Sequence, residues 1–233
     1  MATPAKAILS RAAEMLHDTE FVRWTIPEMV QWANDAQREI ITYRPDALSA
    51  NATATLAAGS RQSLDAMGLT PLPLKLLQVL RNVAATSKKR AVRLVQRHVL
   101  DALQPGWDAL SGTVDVVHYM FDEREPRVFY VYPPATALAQ LEILYSAYPV
   151  DIAQPLTTGI DAVLGNLGLP DIFANAVLDY VLYRAHSKDA EYAANSGMAA
   201  SHYAAFAQAI GIEVQATSAT KPRQRPGAEP GMQ

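Results

Sequence analysis

Between Pro170 and Ala185 the chain carries apolar side chains on opposite sides of one predicted helix. Ile172, Phe173, Ala176, Val177, Tyr180 and Val181 make one face, and Ala174, Leu178, Leu182 and Ala185 make another. A helix that is apolar all round must be covered on both sides, by its own chain or by another. Pro170-Asp171 starts it, with proline where a missing N–H costs nothing and an acid near the positive end of the dipole. The pattern predicts a helix from about Pro170 to Asn195, roughly 39 Å long at 1.5 Å per residue. From Arg184 its character turns polar, Arg-Ala-His-Ser-Lys-Asp-Ala-Glu. Asn195-Ser196-Gly197 reads as a break or kink. Met198, His202, Tyr203, Phe206 and Ile210 then form a last helix ending at Gly211.

The N-terminal fifth predicts two more helices. Thr3-Pro4 precedes Ile8, Leu9, Ala12, Met15 and Leu16, which recur at helical spacing to about His17. Thr25-Ile26-Pro27-Glu28 is a capping box, in which the hydroxyl and the carboxylate each satisfy an orphan backbone donor. Met29, Ala33, Ala36, Ile40 and Tyr43 follow as one stripe, with Asn34, Asp35, Arg38 and Glu39 off it. Arg44-Pro45 ends this helix, because a residue before proline avoids helical dihedrals.

In the middle the period changes from helical to alternating. Thr53 to Leu56 and Gln62 to Leu64 flank Ala58-Gly59-Ser60, a short hairpin signature. Leu74 to Val83 and Arg90 to Gln96 read as strands around the basic turn 84–89. A short helix or turn is expected between Arg97 and Leu110. Val114 to Phe121 and Val128 to Tyr132, joined by Asp122-Glu123-Arg124-Glu125-Pro126, give the clearest β signal, and Leu141 to Tyr148 adds a strand. An antiparallel meander is expected, without a βαβ rhythm. Residues 150–169, with Pro155, Gly159, Gly165 and Gly168, read as a connector with one helical turn. The expected fold is therefore α+β: a helical bundle domain from 1–50 and 150–211, an inserted antiparallel β domain at 51–149, and an extended C-terminal tail at 212–233.

Composition narrows the function. The 233 residues include no cysteine, which excludes thiolate metal sites, disulfides and cysteine nucleophiles. A net charge of −3 from 20 basic and 23 acidic residues excludes a polycationic surface. Met1 to Ser10 lacks a secretory h-region and no apolar run approaches membrane-span length, so a soluble intracellular protein is expected. Gly165-Asn166-Leu167-Gly168 is a GxxG with no strand before it, and reads as the turn that starts a helix. The five histidines are scattered. His186 and Asp189 stand three apart, but no second pair completes a metal site, and a site using Arg184 with them is the weakest reading. Asp122, Glu123 and Glu125 share their loop with Arg124 and lack the pattern of a calcium loop. Lys88, Lys89, Arg90 and Arg93, with Arg97 nearby, form the one basic cluster. They are the candidates for a DNA-facing loop, although no aromatic residues interleave to stack bases. No catalytic, metal or cofactor residue is expected.

An ordered set of stretches remains: Arg23-Trp24-Thr25, Trp32 to Ile40, Tyr43 to Ala47, Gly59 to Gln62, Pro105 with Trp107, His118-Tyr119, and Phe121-Asp122. Phe129 to Pro134, Tyr145-Ser146, Leu182 to Ala185, Lys188 to Tyr192, Asn195, His202-Tyr203 and Phe206 continue it. Across residues 5–211 the chain resembles the head-to-tail adaptor (connector) proteins of short-tailed and related phages. The resemblance implies a virion protein at the head–tail junction, made in the host cytoplasm. It implies a homo-oligomeric ring, commonly of twelve copies, beneath the portal protein. Such a ring extends the channel for genomic DNA and offers a platform to the next tail component, a tail tube or nozzle protein. No membrane partner and no enzymatic activity are implied.

Three expectations follow. Phe173, Val177, Tyr180 and Val181 are assigned to packing between copies. The tail is assigned to portal attachment, with Lys221, Arg223 and Arg225 as ion-pair donors. Its 22 residues reach up to roughly 70 Å when extended at ~3.1 Å per residue. The competing function is a nucleic-acid-binding module that uses Lys88, Lys89, Arg90 and Arg93.

Overall fold

A computed structural model describes residues 3–155, 159–189 and 193–220, with backbone alone for 193–194 and 212–220. It is a mixed α+β structure with five α-helices and two sheets among those residues. Helix α1 spans Ala5–Met15 and α2 spans Ile26–Tyr43, close to the expected bounds. The capping box forms as read: Thr25 N–H donates to Glu28 Oε2 at 3.3 Å, and the Thr25 side chain accepts the Glu28 backbone N–H. Between the helices the chain turns on Asp18, whose carboxylate accepts the backbone N–H groups of Val22, Arg23 and Trp24, each at 2.9 Å. Those three bonds outweigh the effect of burial and hold the Asp18 carboxyl below its ordinary range.

The β region departs from the expected meander. Strands β1 (Ser49–Thr55) and β2 (Gly59–Ser63) flank Gly59 but do not pair with each other. With β3 (Pro73–Asn82), β4 (Arg93–Leu94), β5 (His118–Phe121), β6 (Val128–Ala135) and β7 (Gln140–Ala147) they build two sheets, ordered β1-β7-β3 and β2-β6-β5-β4. At Gly59 (φ +111°) the chain crosses from one sheet to the other, and the buried Gln62 side chain spans the corner through bonds to Ala57 and Gly59. Strand β4 runs parallel to β5, which corrects the purely antiparallel expectation. Between β4 and β5 lie helix α3 (Arg97–Leu103) and a 3-10 turn at Trp107–Ala109. Long-range pairing, unlike period, leaves no local signature. Both sheets enclose one core that includes Phe129, Leu141, Ile143 and Tyr145.

The C-terminal helices are also redrawn. After a 3-10 turn at Asp171–Phe173, α4 covers Ala174–Lys188 and α5 covers Ala193–Thr220. The first helix is therefore shorter than expected. Asn195-Ser196-Gly197 lies inside α5, and α5 continues past Gly211 rather than ending there. Asn195 Nδ2 bonds back to the C=O and carboxylate of Asp189, at 3.0 and 3.1 Å. The "break" residues thus bridge the end of α4 and the start of α5.

Helices α1, α2, α4 and α5 share a second core built from Ile8, Leu9, Met29, Ile40, Val181 and Phe206, among others. Two amides on α2 hold the connector to it. Asn34, placed off the apolar stripe in the sequence, is buried. Its Oδ1 accepts Ile152 N–H at 2.8 Å and its Nδ2 donates to Ile152 C=O at 3.0 Å. Gln37 donates to Asn34 and accepts the Gly168 N–H at 2.5 Å. Tyr43, read as part of the stripe, is 60% exposed instead.

Candidate assembly surfaces

The apolar rod is covered by its own chain. Phe173, Val177, Tyr180 and Val181 are 4%, 0%, 7% and 0% exposed, in the core shared with α1, α2 and α5. This corrects their assignment to contacts between copies, because a side chain already buried in the protomer has no area left to offer a neighbour. Tyr180 sets its ring edge-on to Phe206 with centroids 5.0 Å apart. Trp24 Nε1 donates to Ala185 C=O at 3.2 Å, which seals the far side of α4. The rod's tip stays open: Ile172 is 65% exposed. Polar pairs close the other end, Arg23 with Asp189 and Lys188 with Glu28 at 2.6 Å. The Lys188 ammonium beside Glu28 holds that carboxyl below its ordinary range.

A pair of histidines lies on the seam between α4 and α5. His186 and His202 stack with centroids 5.7 Å apart and ring planes within 4°, and His202 Nδ1 lies 3.0 Å from Asp179 Oδ1. Sequence spacing had paired His186 with Asp189. In the fold Asp189 is engaged by Arg23 and Asn195. Among the described residues no group of three His, Asp or Glu side chains is placed to hold a metal. Burial pushes the His186 pKa down, helped by the charge of His202 and opposed by Asp189 and Asn195. The unfolded chain therefore binds this proton more readily than the folded one. Stability is expected to be intact above the ordinary histidine pKa of 6.5 and to fall as the pH drops below it. Urea midpoints at pH 7.5 and 5.5 test this: the loss should shrink in His186→Gln, and an unchanged loss contradicts the assignment.

Lys88, Lys89, Arg90 and Arg93 are all exposed, on and just before strand β4. Among the described residues none of their side chains enters an ion pair, whereas Arg97 leaves the cluster to pair with Asp101 at 3.7 Å and cover the Tyr130 ring at 5.0 Å. The loop is tied from beneath by a residue the sequence reading missed. Asn82 is 0% exposed. Its Nδ2 donates to Arg90 C=O at 3.0 Å and Val116 C=O at 2.8 Å, and its Oδ1 accepts Val116 N–H at 2.8 Å. An amide at the end of an apolar strand was the available signal, since an internal amide must find partners. Lys88 N–H also donates to Asp115 Oδ1 at 2.9 Å.

The acidic tip at Asp122, Glu123 and Glu125 behaves as a solvated turn. Asp122 Oδ1 caps Arg124 N–H at 2.9 Å, and Glu123 lies 3.7 Å from the Lys75 ammonium. An open cleft of about 820 Å³ between this tip and the start of α3 mixes Arg97 and His98 with Glu123 and Tyr130, with no convergence on one ligand class. In the GxxG stretch, Gly165 takes a φ of +95° and Gly168 sits against Val150. Lys221, Arg223 and Arg225 lie outside the described residues. No helix among the described residues is long and apolar enough to cross a membrane.

The described residues thus form a helical core and a β core. Residues 3–228 match the family model described as SU10 adaptor protein. The chain belongs to this family of phage head-to-tail adaptors and is a structural component of the virion. The match carries the resemblance noted for residues 5–211 into the C-terminal segment. A comparison with curated proteins gives no match.

Proposed function

We propose that the protein assembles as a ring, of twelve copies, on the portal, where it extends the DNA channel and carries the next tail component. The observation behind this reading is the family match, which runs through residue 228 and so includes Lys221, Arg223 and Arg225. A family model that extends over this segment supports its having a role in the assembly. We assign the helical body to the scaffold of the ring, the β region to the platform side, and the three cations to acidic groups on the portal. Many copies engaging together multiply a weak single contact.

Mass measurement of the chain mixed with its portal tests the proposal. A complex of one portal with a full ring is expected, weakened about a hundredfold or more when residues 213–233 are removed. Undiminished binding by the shortened chain takes the tail out of the mechanism. The second reading, a nucleic-acid module, is favoured by the four exposed cations on the 88–93 loop. Duplex binding by the free chain that weakens steeply with salt, without portal binding, would favour it instead.

A further inference from the structure

Helices α2 and α5 leave an apolar groove between them where α2 stops. It holds about 380 Å³ and is lined by Tyr43 of α2 and by Tyr203, Phe206, Ala207, Ile210 and Gly211 of α5. Two of its walls are tyrosines open to water: Tyr43 is 60% exposed and Tyr203 39%. The aromatic surface runs on inward, with the Tyr203 ring centroid 5.0 Å from that of Tyr183 and 6.1 Å from that of Phe206. Glu39, one turn before Tyr43 on α2, adds a carboxylate at the same place. Burial, then the neighbouring Tyr43 and Glu39, pushes the Tyr203 hydroxyl up from its ordinary value. Glu39 is half-buried and enters no ion pair among the described residues. Aromatic faces beside a carboxylate suit a ligand that is apolar, stiff and cationic.

The chain carries such a segment close by. Residues 221–233 hold Pro222, Pro226 and Pro230, with Lys221, Arg223 and Arg225 against the one acid Glu229. Prolines preset the extended polyproline form that aromatic grooves bind, so little freedom is lost on docking. The segment is joined to the groove's own wall. Helix α5 runs from the lining residue Ile210 on to Thr220, about 15 Å at 1.5 Å per residue. Thirteen residues follow Thr220, and they reach about 40 Å when extended at ~3.1 Å each. A tail that turns back at Thr220 is level with Ile210 by Arg225, and residues 226–230 then span the groove.

We propose that in the free protein residues 225–230 of the chain's own tail lie in the groove between Tyr43 and Tyr203, with Pro226 and Pro230 on the tyrosine rings and the Arg225 guanidinium on Glu39. Arg225 is also one of the three cations assigned above to the portal. One guanidinium cannot serve both partners, so the docked tail is held back until a portal competes for it. That consequence rests on the portal reading; the docking itself does not.

Trypsin tests the docking on the full chain without portal. Arg223-Gln224 is the susceptible bond of the tail, because Lys221 and Arg225 are each followed by proline. Cleavage tracks the fraction of undocked tail, and should be at least roughly tenfold faster in Glu39→Gln and in Tyr43→Ala than in the unaltered chain. Neither side chain belongs to the helical core, so the melting temperature should hold. If those variants do not fold, replacing Pro226 and Pro230 by alanine changes the tail alone and should act alike. Arg225→Glu should also speed cleavage, and Glu39→Lys added to it should restore the slow rate. Portal capture should tighten about tenfold in Glu39→Gln, since the tail no longer has to leave its groove. Equal cleavage rates in all of these chains overturn the docking and leave the adaptor reading intact. Protection that grows with protein concentration identifies a neighbouring copy's groove and also overturns it. Protection that appears only once portal is added gives the tail to the portal alone and overturns it too. Portal binding that survives loss of the tail, with the free chain still protected, sinks the portal assignment and keeps the docking.

Discussion

Gly168→Ala is expected to lower stability by about 3 kcal/mol, within the upper range for forcing atoms into a packed site. A Cβ built on Gly168 falls 2.6 Å from the Val150 nitrogen and 2.8 Å from its carbonyl oxygen, with the Pro149 Cβ at 3.1 Å. Those neighbours are backbone and ring atoms, which cannot rotate away. The chain leaving β7 must then separate from the chain leading into α4. That movement also pulls the Gly168 N–H from Gln37 Oε1. For a chain of this length the loss corresponds to roughly 10 °C in melting temperature. Gly197→Ala is the matched control. Its added Cβ meets nothing within 4 Å, and it lies inside α5, where alanine is the better helix former. It should raise stability slightly, by about 0.5 kcal/mol. Equal effects at the two positions would show that the close approach of Gly168 to Val150 is not what requires glycine there.

Asn34→Leu is the second large effect, with about 3 kcal/mol lost. The asparagine exchanges two hydrogen bonds with the backbone of Ile152 and accepts a third from Gln37, in a buried setting. Leucine fills a similar volume but pairs with none of these groups. The Ile152 N–H and C=O are then left in the interior, at a cost of about 1–3 kcal/mol for each unsatisfied group. The urea midpoint should fall with the slope of the transition unchanged. A loss below about 1 kcal/mol would mean that water replaces the lost partners. Because the connector joins the β region to α4, we expect both Asn34→Leu and Gly168→Ala to weaken portal binding only as far as they unfold the protein.

How far each element was legible depended on whether its cause was local. The capping box at Thr25 and Glu28 and the strands around Asp122–Pro126 were readable because each rests on neighbours within a few residues. Asn34 and Asn82 were not, since their partners at 152, 90 and 116 are brought near by packing. The pairing of β1 with β7 rather than β2 escaped for the same reason. His186 was paired by spacing with Asp189. Only the crossing of α4 and α5 set it against His202.

The amino-acid order by itself determined the kinds of element, their rough bounds, the lack of cysteine chemistry and the family pattern, all of which follow from side-chain identity and short-range periodicity. It also required that the rod at 172–185 be covered. Tertiary structure alone decided that α1, α2 and α5 of the same chain supply the cover, since an apolar surface specifies that it must be buried and not what buries it. It likewise decided which strands pair, because backbone hydrogen bonding is identical for every residue but proline and carries no address of its own.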